Sequence, residues 1–155
     1  MEQIASPSVL HVARKVVELT NKELTPLKLQ KLAYYCQAWS LVWEERPMFP
    51  EEFQAWANGP VNLELYNKHR GTYTIESNFL SECTGFDFNE ADLHTMDAVL
   101  GFYGTKPPFY LSELTHKERP WRLARGDTPM GEPSSAVITK DSMQEYYTGI
   151  STQNA

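Results

Sequence analysis

Histidine and its acidic neighbours are the first residues in this sequence that could do chemistry. His116 stands in the run His116-Lys117-Glu118-Arg119, and Glu113 lies three residues before it. An imidazole beside a carboxylate can move protons as a general acid and base, so an enzyme that uses His116 with Glu113 or Glu118 is one open hypothesis. The same run also fits a recognition surface, because arginine is a favoured anchor in protein interfaces. A histidine can equally satisfy free carbonyls at the end of a helix.

Metal-binding and nucleophilic chemistry have weaker support. Glu90, His94 and Asp97 share one helical face, which is a spacing that could hold a metal ion. They lie opposite the apolar stripe of the same predicted helix, so a solvated polar face explains them better. The sequence contains no Gly-x-Ser-x-Gly motif and no phosphate-binding loop. We therefore predict no catalytic residue, no metal and no cofactor.

Two other groups of residues could contact a partner. Lys28 and Lys31 begin an apolar helix, where they could meet an acidic partner or serve as a solvating fringe. Trp56, followed by the turn Asn58-Gly59-Pro60, could form a binding edge or plug the core. The predicted partner-binding set draws on both groups and on the charged run and adds Tyr66; its members are Lys28, Lys31, Trp56, Asn58, Tyr66, His116, Lys117 and Arg119.

The elements that must position these residues are mostly helical. Thr25-Pro26 is a cap-then-proline start signal for a helix from Leu27 to about Trp43, and its apolar residues lie nearly all round, which is typical of a buried central helix. Alternation predicts short strands at Phe53 to Trp56 and Ala136 to Ile138. The other predicted helices cover 9–19, 61–70, 89–103, 110–116, 120–123 and 139–147. The predicted fold class is mainly α (α+β): a single compact helical domain over residues 1–155, with its core in about 9–147, a buried central helix and a small two-stranded β ribbon.

Composition narrows the class of protein. The chain has 155 residues, of which 20 are acidic and 14 basic, giving a formal net charge of -6. Net negative charge disfavours sequence-independent nucleic-acid binding, although a nucleic-acid-binding regulator with a local basic patch stays as an alternative. The segment Met1 to Pro7 lacks the pattern of a secretory signal, and no apolar run approaches a membrane span. With Cys36 and Cys83 as its only cysteines, the chain is expected to be cytoplasmic, with both thiols reduced.

Three blocks of residues carry a resemblance to a known family. Residues 27–39, with the sequence LKLQKLAYYCQAW, resemble the signature helix of the Panacea domain of SocA-like or GepA-like antitoxins. Residues 53–61, with FQAWANGPV, and then Tyr66 resemble the second block of that family. Leu111 to His116, followed by Pro120-Trp121, resemble the third. The resemblance extends over roughly Val9 to Tyr147.

The resemblance implies an antitoxin of bacteria or their prophages. Such a protein is encoded beside a toxin and neutralises it by direct binding, so the implied partner is a cognate protein toxin. Some relatives pass their toxin to a cellular protease, which is a further implied partner. The family brings no catalytic residue and no cofactor, and it does not fix the target of the toxin or the oligomeric state.

Overall fold

Seven α-helices and three short strands make up the part of the chain that the computed structural model describes, which is residues 6–20 and 24–153. Residues 1–5, which belong to the segment Met1 to Pro7 that lacks the pattern of a secretory signal, lie outside these residues. The helices are α1 Val9–Thr20, α2 Pro26–Trp43, α3 Leu63–His69, α4 Glu90–Tyr103, α5 Pro108–Lys117, α6 Arg119–Arg125 and α7 Lys140–Gln153. The strands are β1 Phe53–Trp56, β2 Gly59–Val61 and β3 Val137–Ile138, and a single 3-10 turn covers Ser81–Cys83.

Helix α2 is the centre of the fold, as its apolar pattern predicts. Thr25 caps it by accepting a hydrogen bond from the Lys28 amide, and Pro26 occupies the first turn. Twelve of its 18 residues are buried, and α1, α4, α5 and α7 all pack against it. Trp43 is an exception, since it is 46% exposed at the carboxyl end of the helix. Because other helices surround α2, its side chains can contact residues of several elements.

The strands form one antiparallel sheet in the order β2-β1-β3. The two predicted strands do pair, with Phe53 opposite Ile138, and β2 joins the other edge of β1. The sequence predicts a turn and a helix start where β2 lies, because Pro60 also suits the first position of a helix. The helix begins only at Leu63, after Asn62 caps it by accepting from the Leu65 amide at 2.8 Å. The mainly helical class is confirmed, with a third strand added to the expected ribbon.

The two cysteines differ in their surroundings. Cys36 lies inside α2 with no exposed surface, and burial raises the pKa of its thiol to about 12. Cys83 lies in the 3-10 turn beside α1 and is half-buried. Both are free thiols. No helix in the described residues is both long and apolar enough to cross a lipid bilayer.

Candidate functional site

Polar side chains of α2 hold the segment that carries the β1–β2 turn. The Gln37 side chain accepts a hydrogen bond from the Met48 amide and donates one to the Phe49 carbonyl, both at 2.7 Å. Gln30 makes a similar pair with the backbone of Asn62, at 2.8 and 3.1 Å. Buried amides need partners, so these bonds fix the backbone on both sides of the sheet hairpin. These hydrogen bonds therefore fix the position of the hairpin relative to α2.

Lys31 lies beneath the turn and is fully buried. Its Nζ donates to the Pro60 carbonyl at 3.0 Å, and desolvation lowers the pKa of this amine to about 7. The expectation that Lys31 is a surface contact or a solvating fringe is therefore wrong. Its aliphatic stem fills the space under Gly59, where an added Cβ would come within 2.6 Å of the Lys31 Cε atom. Lys31 supports the turn from inside the protein.

Helices α5 and α6 hold the same hairpin from its other side. The Ser112 hydroxyl donates to the Asn58 carbonyl at 2.5 Å, and the Trp121 indole donates to the Trp56 carbonyl at 2.8 Å. The Arg125 guanidinium donates to the Ala55 carbonyl at 2.9 Å. Trp121 is buried, as expected for a large aromatic residue. The turn is thus clamped between α2 and the α5–α6 pair.

Three of the predicted binding residues meet in a groove of about 690 Å³ on one side of this turn. The rings of Trp56 and Tyr66 pack edge to face with centroids 4.8 Å apart, and Asn58 lies beside them. His69 lines the same groove, with its Nε2 3.0 Å from the Gln30 side-chain nitrogen, and burial lowers the pKa of this imidazole. The lining is mostly apolar with a few polar groups, which is the usual character of a binding groove.

A second groove, of about 710 Å³, contains the predicted His116, Lys117 and Arg119. The His116 ring stacks on Trp121 with centroids 4.2 Å apart. Lys117 and Arg119 are exposed, and Arg122 lies one helical turn after Arg119 on α6. Lys28 lies elsewhere, at the start of α2, where its Nζ donates to the Gly104 carbonyl at the end of α4. The predicted set therefore divides between two grooves, the start of α2 and the buried Lys31.

Comparison with known families identifies the chain. Residues 29–122 match the family described as "Antitoxin SocA-like, Panacea domain", which is more than half of the 155 residues. The chain belongs to the SocA-like Panacea family. The match runs from the first turn of α2 to the middle of α6, so it contains the α2 residues that hold the hairpin, the hairpin itself, α5 and the first half of α6. No curated protein and no solved structure matches this Panacea chain.

The structure of this Panacea chain also gives contacts to residues that the sequence analysis did not single out. Gln30 and Gln37 are polar positions in a helix that is otherwise apolar nearly all round, and both pair with backbone across the core. A polar residue inside such a pattern is the available signal for a buried hydrogen bond. Arg122 and Arg125 were also missed, although their spacing from Arg119 places Arg122 on the same side of α6.

The acid–base pair of the enzyme hypothesis is not assembled in this Panacea fold. Glu118 is buried, and its Oε1 accepts hydrogen bonds from the hydroxyls of Tyr35 and Tyr147, both at 2.7 Å. Burial raises the pKa of this carboxyl to about 7. Among the described residues, no hydrogen bond joins His116 to Glu113 or Glu118. Burial lowers the pKa of His116, and the charge of the nearby Glu113 carboxylate opposes this shift. Glu118 belongs to the core.

The acidic face of α4 is separate from both grooves. Glu90, His94 and Asp97 are exposed on it, as a solvated face predicts. Within residues 6–20 and 24–153, no three histidine, cysteine or acidic side chains form a group able to hold a metal ion. Asp92, on the opposite side of the helix, is buried and pairs with Arg46 at 2.9 Å. Its role is to join α4 to the segment that follows α2.

Proposed function

We propose that this chain is the antitoxin of a bacterial or prophage toxin–antitoxin pair and that it neutralises its toxin by direct binding. The observation that carries the proposal is the match of residues 29–122 to the SocA-like Panacea family. The antitoxin role of that family gives the chain a protein toxin as its partner. The proposed site of action is the cytoplasm, and the proposed unit is one domain over residues 1–155.

The proposed mechanism is steric: the antitoxin covers a surface that the toxin needs. A stable interface of ordinary size takes about 800 Å² from each partner. The surface around the β1–β2 turn suits this role because hydrogen bonds from α2, α5 and α6 hold its backbone in place. A surface that is already ordered loses little conformational entropy when it binds. The proposed contact residues are Lys28, Trp56, Asn58, Tyr66, His116, Lys117 and Arg119.

Co-expression with the protein encoded beside this chain tests the proposal. The neighbour alone should arrest bacterial growth, co-expression of this chain should restore it, and the two proteins should purify as one complex. Co-expression of an unrelated folded protein from the same promoter controls for expression load, since it should not rescue. A neighbour that is harmless, or rescue without any physical association, would contradict direct neutralisation.

A cellular protease is the finer alternative for how the toxin is removed. If the antitoxin passes its toxin to a protease, the toxin should disappear with time after co-expression. Under simple sequestration its level should stay constant while the complex persists. Immunoblotting of the toxin after synthesis is stopped separates these two mechanisms, and in both of them the chain binds the toxin directly.

A further inference from the structure

Three exposed cations on α5 and α6 stand without a carboxylate partner. Lys117, Arg119 and Arg122 are all exposed, and none of them forms an ion pair in the described part of the chain. This is unexpected in a chain of net charge -6, in which acidic residues outnumber basic ones. Side chains of like charge repel one another, so their grouping on one short segment costs stability unless an anionic partner meets them.

The groove between these cations has a defined chemistry. Its volume is about 710 Å³, and no acidic residue lines it among those described. Leu123 and Met130 line it as well, with 53% and 67% of their surfaces exposed. Arg125 is also present, but three backbone carbonyls hold its guanidinium, so it shapes the floor of the groove. The groove offers positive charge and apolar surface together.

An aromatic groove of about 570 Å³ adjoins the basic one, since Lys117 and Tyr146 line both. Its exposed members include Trp43 and Phe102, at 46% and 61%. Lys106 adds a positive charge above the Phe102 ring, with its Nζ 4.8 Å from the centroid. Exposed aromatic residues that cluster on a protein surface are typical of a protein-binding site.

We infer that the face formed by the basic groove and the adjoining aromatic groove binds an acidic segment of the toxin whose apolar side chains enter the aromatic groove. The inference rests on the proposed function and adds the chemistry of the partner. Arginine binds a carboxylate with two parallel hydrogen bonds, and Arg119 and Arg122 are both free of ion pairs in the described chain. A protein segment fits better than a nucleic acid, because the net charge of -6 repels a phosphate backbone and the adjoining groove is apolar.

Charge reversal tests the basic groove. The variant Arg119→Glu/Arg122→Glu is compared with Lys68→Glu/Arg70→Glu. The second variant makes the same change of charge at exposed residues near the carboxyl end of α3, which line neither the basic nor the aromatic groove. Both pairs are exposed, so both variants should fold, which circular dichroism and thermal unfolding verify. With the neighbouring-gene protein as the ligand, the first variant should lose about 100-fold in affinity and the control less than about 3-fold. Wild-type affinity should also fall as salt concentration rises, and this dependence should weaken in the first variant.

The aromatic groove has its own variant. Phe102→Ala should weaken binding about 10-fold, whereas Tyr73→Ala, at a tyrosine that is 91% exposed elsewhere, should leave it unchanged. Equal affinity of wild type and both groove variants would overturn the inference and leave the proposed function intact. A wild-type chain that does not bind the neighbour would overturn both. Binding of a labelled RNA or DNA that is lost in Arg119→Glu/Arg122→Glu, with toxin binding unchanged, would assign the groove to nucleic acid instead.

Discussion

At the scale of the residue, burial shifts the pKa values of two ionisable groups. Each shift lowers the free energy of unfolding in a different pH range. Glu118 has its pKa raised from 4.5 to about 7, and Lys31 has its pKa lowered from 10.5 to about 7, both through burial. Between pH 4.5 and 7 the unfolded chain releases the Glu118 proton that the folded chain keeps. Stability from this group therefore falls as pH rises through that window. The buried amine acts at higher pH, because its contribution improves as pH rises from about 7 towards 10.5.

The variant Glu118→Gln isolates the first of these effects. The amide oxygen can still accept hydrogen bonds from Tyr35 and Tyr147, but it carries no charge at any pH. We expect titration at this position to contribute nothing further to the pH dependence of the free energy of unfolding between pH 5 and 7. At pH 8 the free energy of unfolding of the variant should exceed that of wild type by about 3 kcal/mol. Urea denaturation across this pH range measures it. Glu76→Gln, at an exposed carboxylate in the segment after α3, should keep the wild-type slope. An unchanged slope in Glu118→Gln would show that the Glu118 carboxyl is not buried in solution.

At the scale of the element, the β1–β2 hairpin depends on helices that are distant in sequence. Gln30 and Lys31 hold its backbone from α2, while Ser112 and Trp121 hold it from α5 and α6. Gly59 allows the hairpin backbone to lie close to the Lys31 side chain, because its φ is +114° and it has no Cβ that would clash with Lys31. The hairpin is therefore assembled by tertiary contacts, and the local turn sequence is only one of its requirements.

Substitution of Gly59 tests how closely the hairpin is packed. In Gly59→Ala the new Cβ would lie 2.6 Å from the Lys31 Cε and 2.8 Å from the Thr115 hydroxyl oxygen. Gly71→Ala is the matched control, because Gly71 also has a positive φ, of +81°, but nothing lies within 4 Å of its added Cβ. We expect a loss of about 1 kcal/mol for the control from backbone strain alone, and about 2 kcal/mol more for Gly59→Ala from overpacking. Thermal unfolding measures both, and equal losses would contradict the packing described here.

Local sequence signals predicted the helices well. Strand β2 and the burial of Lys31 and Glu118 depend instead on contacts between elements that are distant in sequence. Helix α2 carries its own cap, Thr25, and its own periodicity, so its position followed from adjacent residues. Strand β2 exists because β1 offers an edge, and the sequence around Pro60 also fits a helix start. The burial of Lys31 and Glu118 depends on the carbonyl and hydroxyl groups that reach them from other elements. No pattern of neighbouring residues reports such partners.

The structure shows how the predicted contact residues are arranged, which the sequence did not. Trp56 and Asn58 were grouped by their nearness in sequence and Tyr66 came from the family resemblance, and all three line one groove. Lys117 and Arg119 line a second groove together with Arg122, which the sequence analysis did not single out because this groove also depends on Tyr146 of α7. The aromatic groove joins residues from four helices, so its members are far apart along the chain.

At the scale of the whole molecule, the folded unit is larger than the segment that matches the family. The match covers residues 29–122, whereas α1 and α7 lie outside it and both pack on α2. Met143 and Tyr147 of α7 are fully buried, and the Tyr147 hydroxyl reaches Glu118. The flanking helices therefore complete the core of the Panacea domain in this chain.

Deletion of residues 140–155 should consequently abolish cooperative folding. The deletion removes the apolar cover of α2 and leaves the Glu118 carboxyl with one fewer donor. We expect loss of the thermal unfolding transition and rapid proteolysis in comparison with the full chain. Tyr147→Phe keeps the ring and removes only the hydroxyl, so it should stay folded and lose about 1 kcal/mol. A truncated chain that unfolds with the wild-type midpoint would show that α7 is dispensable.

The contrast between the two cysteines gives the native protein a single site for chemical labelling. The Cys36 thiol is enclosed by α2 and its neighbours and has a pKa of about 12, so it supplies almost no thiolate at neutral pH. Burial also raises the pKa of Cys83, but this thiol is partly accessible on the 3-10 turn, away from the basic and aromatic grooves, and a slightly alkaline buffer supplies its thiolate. A maleimide dye should attach once to the folded chain and twice after denaturation, which mass spectrometry counts. A fluorophore at Cys83 would then report, by anisotropy, whether the proposed toxin binds, without any change to the sequence.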